Sequence, residues 1–236
     1  MFALIFKSSL GKKYLMAGTG LLLVLFVVAH LAGNLQIFLG QEAINRYGHF
    51  LQTNPELIWP ARIGLVFVIG IHIWAAIKLS AENRAARPVG YSNYQPVGSS
   101  YASRTMLMSG LIIFAFIIYH LLHFTAEVRY INLTGENFVS FTDPEKRHDI
   151  YRMMIVGFNN FWVSAFYLIG MALLCLHLSH GISSMFQSMG WKNKAYGPRL
   201  DKIAKLVALA IFLGYSSIPV AILLGYGRGA LHPIAL

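Results

Sequence analysis

Nine histidines are spread through this 236-residue chain. Six of them, His30, His72, His120, His123, His177 and His180, fall inside four separate long apolar runs. A neutral imidazole in such a run keeps a ring-nitrogen lone pair, which suits it to bind a transition metal or the iron of a porphyrin. Ionisable residues at membrane depth are costly and usually face a bundle interior in functional roles. One such histidine is equally well explained by a structural hydrogen bond; histidines on four separate runs are harder to explain that way. The single cysteine, Cys175, lies in an apolar stretch. There is therefore no disulfide framework and no C-x-x-C-H attachment motif, so any haem is held non-covalently.

The elements that position these histidines follow from composition. Apolar residues make up 56% of the chain and charged residues 12%, where an ordinary soluble domain has about 45–50% and about 25%. This excludes a disordered chain, a nucleic-acid-binding module and an ordinary cytosolic enzyme. The apolar excess cannot be buried in a core this small, so the bilayer takes it up. Crossing ~30 Å of hydrocarbon needs about 20 residues, and five runs qualify: 14–39, 60–82, 105–129, 153–187 and 203–226. Breakers separate them: Asn54-Pro55 and Trp59-Pro60, Arg87-Pro88-Val89-Gly90, Pro96-Val97-Gly98, Asp143-Pro144 and Gly197-Pro198. The expected fold is an all-α integral membrane protein, a five-transmembrane-helix bundle forming a single membrane domain over 1–236. Lys7, Lys12 and Lys13 before the first run resemble the start of a signal peptide. That run is too long for one and continues into His30 and Asn34, so it reads as a retained span.

Charge sets the orientation. With the N-terminus cytoplasmic, the inner segments hold Lys7, Lys12, Lys13, Lys78, Arg84, Arg87, Arg104, Lys192, Lys194, Arg199, Lys202 and Lys205 against Glu82 and Asp201. The outer segments hold Arg46, Arg62, Arg129, Lys146, Arg147, Arg152 and Arg228, balanced by seven acids. The cationic excess on one side predicts an N-terminus in the cytoplasm and a C-terminus outside. The whole net charge of +10 then lies on the inner face, where it sets topology and meets anionic lipid or an acidic partner rather than nucleic acid.

Depth turns the histidines into a geometric expectation. At 1.5 Å per residue from the inner edge of each span, His30 lies roughly 24 Å up and His120 about 22 Å, while His72 lies about 15 Å up and His180 about 10 Å. Two tiers emerge, each with imidazoles from two helices. That is the requirement for bis-histidine ligation of a haem iron, with one ligand on each porphyrin face. The two irons are expected roughly 10 Å apart along the normal, close enough for electron transfer. Small residues near the ligands fit a slot for a porphyrin: Gly33 after His30, Ala75 and Ala76 after His72, Gly181 and Ser184 beside His180. Around His120 the neighbours Phe116, Leu121 and Phe124 are bulky. His123 and His177 each lie one turn from a chosen ligand and compete with it. A di-metal site built from the two H-x-x-H pairs is disfavoured by their depth difference, roughly 7–17 Å, and by the lack of nearby acids. The Met and Phe stripes read as packing, Trp59, Trp74, Trp162 and Trp191 as partly interfacial, and Pro219 as a kink in a fifth span without histidine.

Several stretches carry a family resemblance over nearly the whole chain. They are Ser8-Ser9-Leu10-Gly11-Lys12-Lys13 leading to Thr19-Gly20, and His30-Leu31-Ala32-Gly33-Asn34-Leu35. Others are His72 through Glu82-Asn83-Arg84-Ala85-Ala86-Arg87-Pro88, Tyr119-His120-Leu121-Leu122-His123-Phe124-Thr125, and His177-Leu178-Ser179-His180-Gly181 ending at Gly190-Trp191. The chain resembles the cytochrome b membrane anchor of succinate:quinone oxidoreductases (complex II) and fumarate reductases, in the form with one large anchor subunit and two haems.

The resemblance implies that His72 and His180 ligate a haem b near the cytoplasm, and His30 and His120 a distal haem b, the same pairing as the depth estimate. His180 is preferred to His177 because His-Gly matches the family pattern, and His120 to His123 because His-Leu-x-x-Phe/Leu does. The family often has an acidic residue where His123 stands, which leaves open a ligand swap or a role for His123 near quinone. The implied activity is electron transfer between an iron–sulfur subunit and membrane quinone (menaquinone or ubiquinone), with succinate oxidation on a flavoprotein subunit, or the reverse as fumarate reductase. The implied location is a prokaryotic cytoplasmic membrane. Lys12, Lys13 and Arg104 are candidates for proximal propionates or partner docking, with plain topology-setting as the competing role. Glu42, Tyr47, His49 and Arg62 are candidates for quinone protonation or distal propionates, with solvated loop residues as the alternative. Two other classes compete: a haem-free structural anchor, and a di-haem cytochrome b of another oxidoreductase such as a hydrogenase or formate dehydrogenase.

Overall fold

The computed structural model describes residues 6–86 and 101–231; Arg87-Pro88-Val89-Gly90 and Pro96-Val97-Gly98 lie outside the described residues. Among the described residues there is no β-strand. The α-helices are α1 (Ser9–Asn34), α2 (Gln41–Thr53), α3 (Pro55–Ala85), α4 (Tyr101–Arg104), α5 (Met106–Phe124), α6 (Ile150–Asn159), α7 (Phe161–Ser188) and α8 (Gly197–Leu223). Five stretches are long and apolar enough to cross a membrane: Ser9–Leu39, Pro55–Ala85, Met106–Phe124, Phe161–Ser188 and Gly197–Leu223. The protein is all-α with five membrane-spanning helices. A helix satisfies its own backbone in lipid, which is why apolar runs of this length adopt it. Ile63, Val66 and Phe67 of α3 are 66–70% exposed, a surface that suits hydrocarbon rather than water.

The helix ends have local causes. Leu35–Leu39 continues α1 as a 3₁₀ turn that stops at Gly40, whose φ of +99° suits glycine. Pro55 opens α3 at its first position, where its missing N–H costs nothing, and the Asn54 carbonyl accepts from Leu57 N and Ile58 N. Pro60 lies one turn further in and does not break the helix. The run expected as one span over 153–187 is two helices. Asn160 has extended backbone, and its side-chain oxygen accepts from Trp162 N at 3.0 Å and Val163 N at 3.3 Å. This asparagine caps α7 and makes α6 a separate short helix.

The described residues group into two compact units. The first draws on Met1–Val27, Ala61–Leu111 and Leu174–Leu209, the second on Val28–Pro60, Ile112–Leu173 and Ala210–Leu236. In the first, Lys12 is almost fully buried, and its ammonium reaches the Glu82 carboxylate at 2.7 Å and the Lys7 carbonyl at 2.9 Å, tying α1 to α3. In the second, α2 buries Ile44, Asn45 and Gly48. A β-carbon at Gly48 would collide with Ile150, so glycine permits the close approach of α2 to α6. Phe138, Phe141 and Met153 form the core here, with Phe124, Ile150 and Val156 against it.

One buried amide joins α2 to the loop before α6. Asn45 donates to Asp143 at 3.2 Å and Asp149 at 3.0 Å and accepts from Tyr151 N at 3.0 Å. Asp149 also accepts from Gln41 at 2.9 Å and from Arg152 N at 3.1 Å as the N-cap of α6. Replacing Asn45 leaves two carboxylates short of donors in a closed site. Asn45→Ala is expected to cost about 1–3 kcal/mol, read as a lower thermal unfolding midpoint of the purified protein, with Asn45→Asp at least as harmful because it adds a third carboxylate.

Candidate functional site

Helix positions bring histidines and hydroxyls together in the first unit. Thr19 on α1 sits 3.1 Å from His72 Nδ1 on α3. Ser109 on α5 sits 3.1 Å from His177 Nδ1 on α7. In each case the hydroxyl proton is already committed to its own helix: Thr19 donates to Leu15 O at 2.6 Å, and Ser109 to Met106 O at 3.1 Å. With its proton so used, the hydroxyl oxygen is placed to accept from the tautomer that carries its proton on Nδ1, in which Nε2 keeps the lone pair. A metal-binding histidine is held in this way, its outer nitrogen donating to a fixed acceptor. A glycine follows each hydroxyl. A β-carbon at Gly20 would lie 3.5 Å from His72 Cε1, and one at Gly110 3.4 Å from His177 Cε1, so both rings lie against bare backbone. His177 also interacts electrostatically with both His72 and His180.

His180, three residues beyond His177, is turned about 60° around the helix. Its charged neighbours are Lys192 and Asp201. Lys192 pairs with Asp201 at 2.6 Å, and Ser183 donates to the same carboxylate. The two histidines of the His177-x-x-His180 pair thus have different surroundings, one against a hydroxyl and a glycine and the other beside a polar cluster. Thr19-Gly20 and Ser109-Gly110 were visible in the sequence as a repeated hydroxyl–glycine pair. The histidine that each faces is decided by helix packing.

The second unit holds His30, His120 and His123. The His30 and His120 rings lie 5.8 Å apart, centre to centre, at 83°. Tyr167 OH lies 3.3 Å from His120 Nδ1 and 3.0 Å from His123 Nδ1. His123 is fully buried, with its ring 3.9 Å from the Phe124 ring, and its Nε2 has no partner. A β-carbon at Gly157 of α6 would be 3.3 Å from that Nε2, so the nitrogen faces the α6 backbone.

His30 and His120 are the two imidazoles from different helices whose ring centres lie near enough that both would hold one iron. The crowded Nε2 of His123 does not fit an iron. In the first unit, His72 and His177 lie on different helices, each with its Nδ1 beside a hydroxyl. Among the described residues no three His, Cys, Asp or Glu side chains converge on a point, the arrangement a small metal-ion cage would need.

The remaining candidates are dispersed. Lys12 is held by Glu82, while Lys13 and Arg104 are exposed. Gly33, expected to leave a slot, is filled by the Tyr47 ring: a β-carbon there would lie 2.9 Å from Tyr47 Cε1. His49 and Arg62 are exposed. Glu42 receives both terminal nitrogens of Arg147, at 3.2 and 2.6 Å. Arg147 also bonds Asp143 at 2.7 Å and pairs with Glu145. The Arg147 guanidinium holds the Glu42 carboxyl below its ordinary range. Burial alone would raise Asp143, but donors from Arg147 and Asn45 outweigh it and hold that carboxyl low as well. The Glu127 carboxylate, 3.1 Å from His148 Nε2, raises the imidazole above its ordinary value.

Compared with known proteins, the chain matches no protein-family model, no curated protein and no solved structure.

Two measurements check these placements. A histidine raised on folding stabilises fully below its unfolded value near 6.5, and that stabilisation disappears as pH rises through the higher folded value. Wild-type protein is expected to lose thermal stability relative to Glu127→Gln as pH rises from 6.5 through the higher folded value, and an unchanged difference over that rise would refute the pairing. In the first unit, metal-independent protection of the imidazole Nδ1–H of His72 and His177 is expected by nitrogen-15 NMR, and it should weaken in Thr19→Val and Ser109→Ala respectively.

Proposed function

We propose that this chain is the di-haem cytochrome b anchor of a succinate:quinone oxidoreductase or fumarate reductase. In that reading it carries electrons between an iron–sulfur subunit and membrane quinone, while a flavoprotein subunit handles succinate and fumarate. The observation that carries it is the close approach of the His30 and His120 rings from different helices, combined with the family resemblance of the stretches around the histidines. His30 and His120 hold one haem b. His72 and His177 hold the other. His177 is favoured over His180 because its Nδ1–H is fixed by Ser109 and its ring lies against Gly110. When bound, each haem supplies a one-electron couple, which the protein tunes through axial ligation, burial and hydrogen bonding. The chain's own residues keep each ligand in one tautomer and keep water away from it. Bis-histidine ligation leaves no open iron position, so haem oxygen chemistry is not expected.

The basic loops belong to the cytoplasmic face of a prokaryotic membrane in this reading, where they meet anionic lipid and the soluble subunits. Lys13 and Arg104 are exposed members of that set. The paired Lys12 serves the α1–α3 contact instead.

A pyridine haemochrome assay on the full chain, purified with its co-isolating subunits, is expected to give two protohaems per copy. His30→Ala and His120→Ala each remove one haem, and His72→Ala and His177→Ala each remove the other, while His180→Ala retains both. A chain with no b-type band is a haem-free anchor. A chain with two haems that co-purifies with a hydrogenase or formate dehydrogenase belongs to that assembly. Loss of a haem from His180→Ala with retention in His177→Ala returns the ligand to His180.

A further inference from the structure

Arg152 and Glu136 line one cavity of about 410 Å³ in the second unit, with Thr134, Asn159 and Asn160 beside them. Arg152 comes from α6 and Glu136 from the loop before it, while Asn160 caps the first turn of α7. Opposite charges that face one small space ordinarily pair. Among the described residues, neither of these two makes an ion pair. Asp149, the carboxylate nearest to Arg152 in the chain, takes its donors from Gln41, Asn45 and the Arg152 backbone N–H instead. The guanidinium rests on the Phe141 ring, its central carbon 4.3 Å from the ring centre, and its enclosed Nε has no acceptor. The protein braces this cation without neutralising it, and a partly buried charge is costly unless something pairs with it. That partner has to come from the cavity.

The surroundings put the cavity at a membrane surface. Helices α5 and α7 are both long and apolar enough to span, and the cavity lies in their connection, beside the first turn of α7. Exposed apolar side chains flank its lining residues along the chain: Leu133 next to Thr134, Val139 after Glu136, and Phe161 and Trp162 after Asn160. Trp162, at the very start of a span, is 73% exposed, which is the position of an interfacial aromatic anchor. The anion abundant at that depth is a lipid phosphate, and a guanidinium fork binds phosphate with two parallel hydrogen bonds. A phosphate alone would leave the Glu136 carboxylate facing a like charge across the same space. A headgroup that also carries a cation meets both.

We propose that this cavity is a headgroup site for a phospholipid bearing both a phosphate and a primary ammonium, a phosphatidylethanolamine. Arg152 takes the phosphate and Glu136 the ammonium. A primary ammonium has N–H donors for the carboxylate. A trimethylated headgroup has none, and a glycerol headgroup brings no charge to Glu136. The bound lipid neutralises the cation that the protein leaves open and ties α6 and the loop before it to the bilayer. The site is separate from the buried histidines and stands whether or not the chain carries haem.

The test is native mass spectrometry of the full chain with its co-isolating subunits, delipidated and titrated separately with dioleoyl phosphatidylethanolamine, phosphatidylglycerol and phosphatidylcholine. Wild-type protein is expected to bind one phosphatidylethanolamine per chain about tenfold more tightly than either of the others, the effect of one added hydrogen-bonded charge. Arg152→Gln weakens that binding about tenfold. Glu136→Gln removes the preference over phosphatidylglycerol and leaves phosphatidylglycerol binding at least as strong as before. The thermal unfolding midpoint of each variant reports folding. If Arg152→Gln fails to fold, Glu136→Gln decides, since Glu136 is exposed and its substitution reads the headgroup preference directly. Equal binding of all three lipids to wild-type protein overturns the proposal, as does an unchanged titration in Arg152→Gln or an unchanged preference in Glu136→Gln. Displacement of the bound lipid by millimolar inorganic phosphate also overturns it and makes the cavity a site for free phosphate.

Discussion

An imidazole inside a hydrocarbon layer has two nitrogens and no water, so its protonation pattern is set by whatever hydroxyl or carbonyl the neighbouring helix brings to it. That constraint organises both halves of this protein. Thr19 and Ser109 have already given their protons to carbonyls of their own helices. Their oxygens are placed to accept from His72 and His177, which favours the tautomer with a lone pair on the far nitrogen. The glycines that follow let the rings lie against backbone. In the second unit one phenol oxygen lies within hydrogen-bond distance of two rings at once.

The rest of the second unit supports that arrangement. Tyr167 is held by aromatic contacts to Phe116, Tyr119 and Phe158, and Phe124 covers His123. These rings leave little freedom for the hydroxyl, and interiors packed this closely hold side chains in single rotamers. Around the same unit, Asn45 joins Asp143 and Asp149 to α2, and Arg147 gathers Glu42, Asp143 and Glu145. Charged and amide groups concentrate in the connections between apolar helices.

Three side chains that look available for ligand chemistry have structural partners instead. Lys12 is paired with Glu82, Glu42 with Arg147, and the Tyr47 ring occupies the space above Gly33. Lys12 and Glu42 each meet an opposite charge distant in sequence, and Tyr47 lies against a glycine. Their use in helix–helix and helix–loop contacts leaves the buried imidazoles and the hydroxyls beside them as the candidate site.

The five spanning helices were legible in the chain because a run of about 20 apolar residues has one way to satisfy its backbone in lipid. The candidate residues were legible for a related reason, since histidines stand out against such runs. The break at Asn160 was not, because Met153–Phe158 is as apolar as the span that follows and a side-chain cap decides the boundary. Helix α2 was hidden in what read as a loop, since its order comes from Asn45 and Gly48 meeting residues about a hundred positions away. The contrast between His177 and His180, or between His120 and His123, is a matter of about 60° of rotation on one helix. Residue spacing leaves both on adjoining faces. Only the packed neighbours, Ser109 and Gly110 in one unit and Tyr167 and Gly157 in the other, give the members of each pair different surroundings, because a hydrogen bond or a steric block depends on which atoms meet across helices and not on order along the chain.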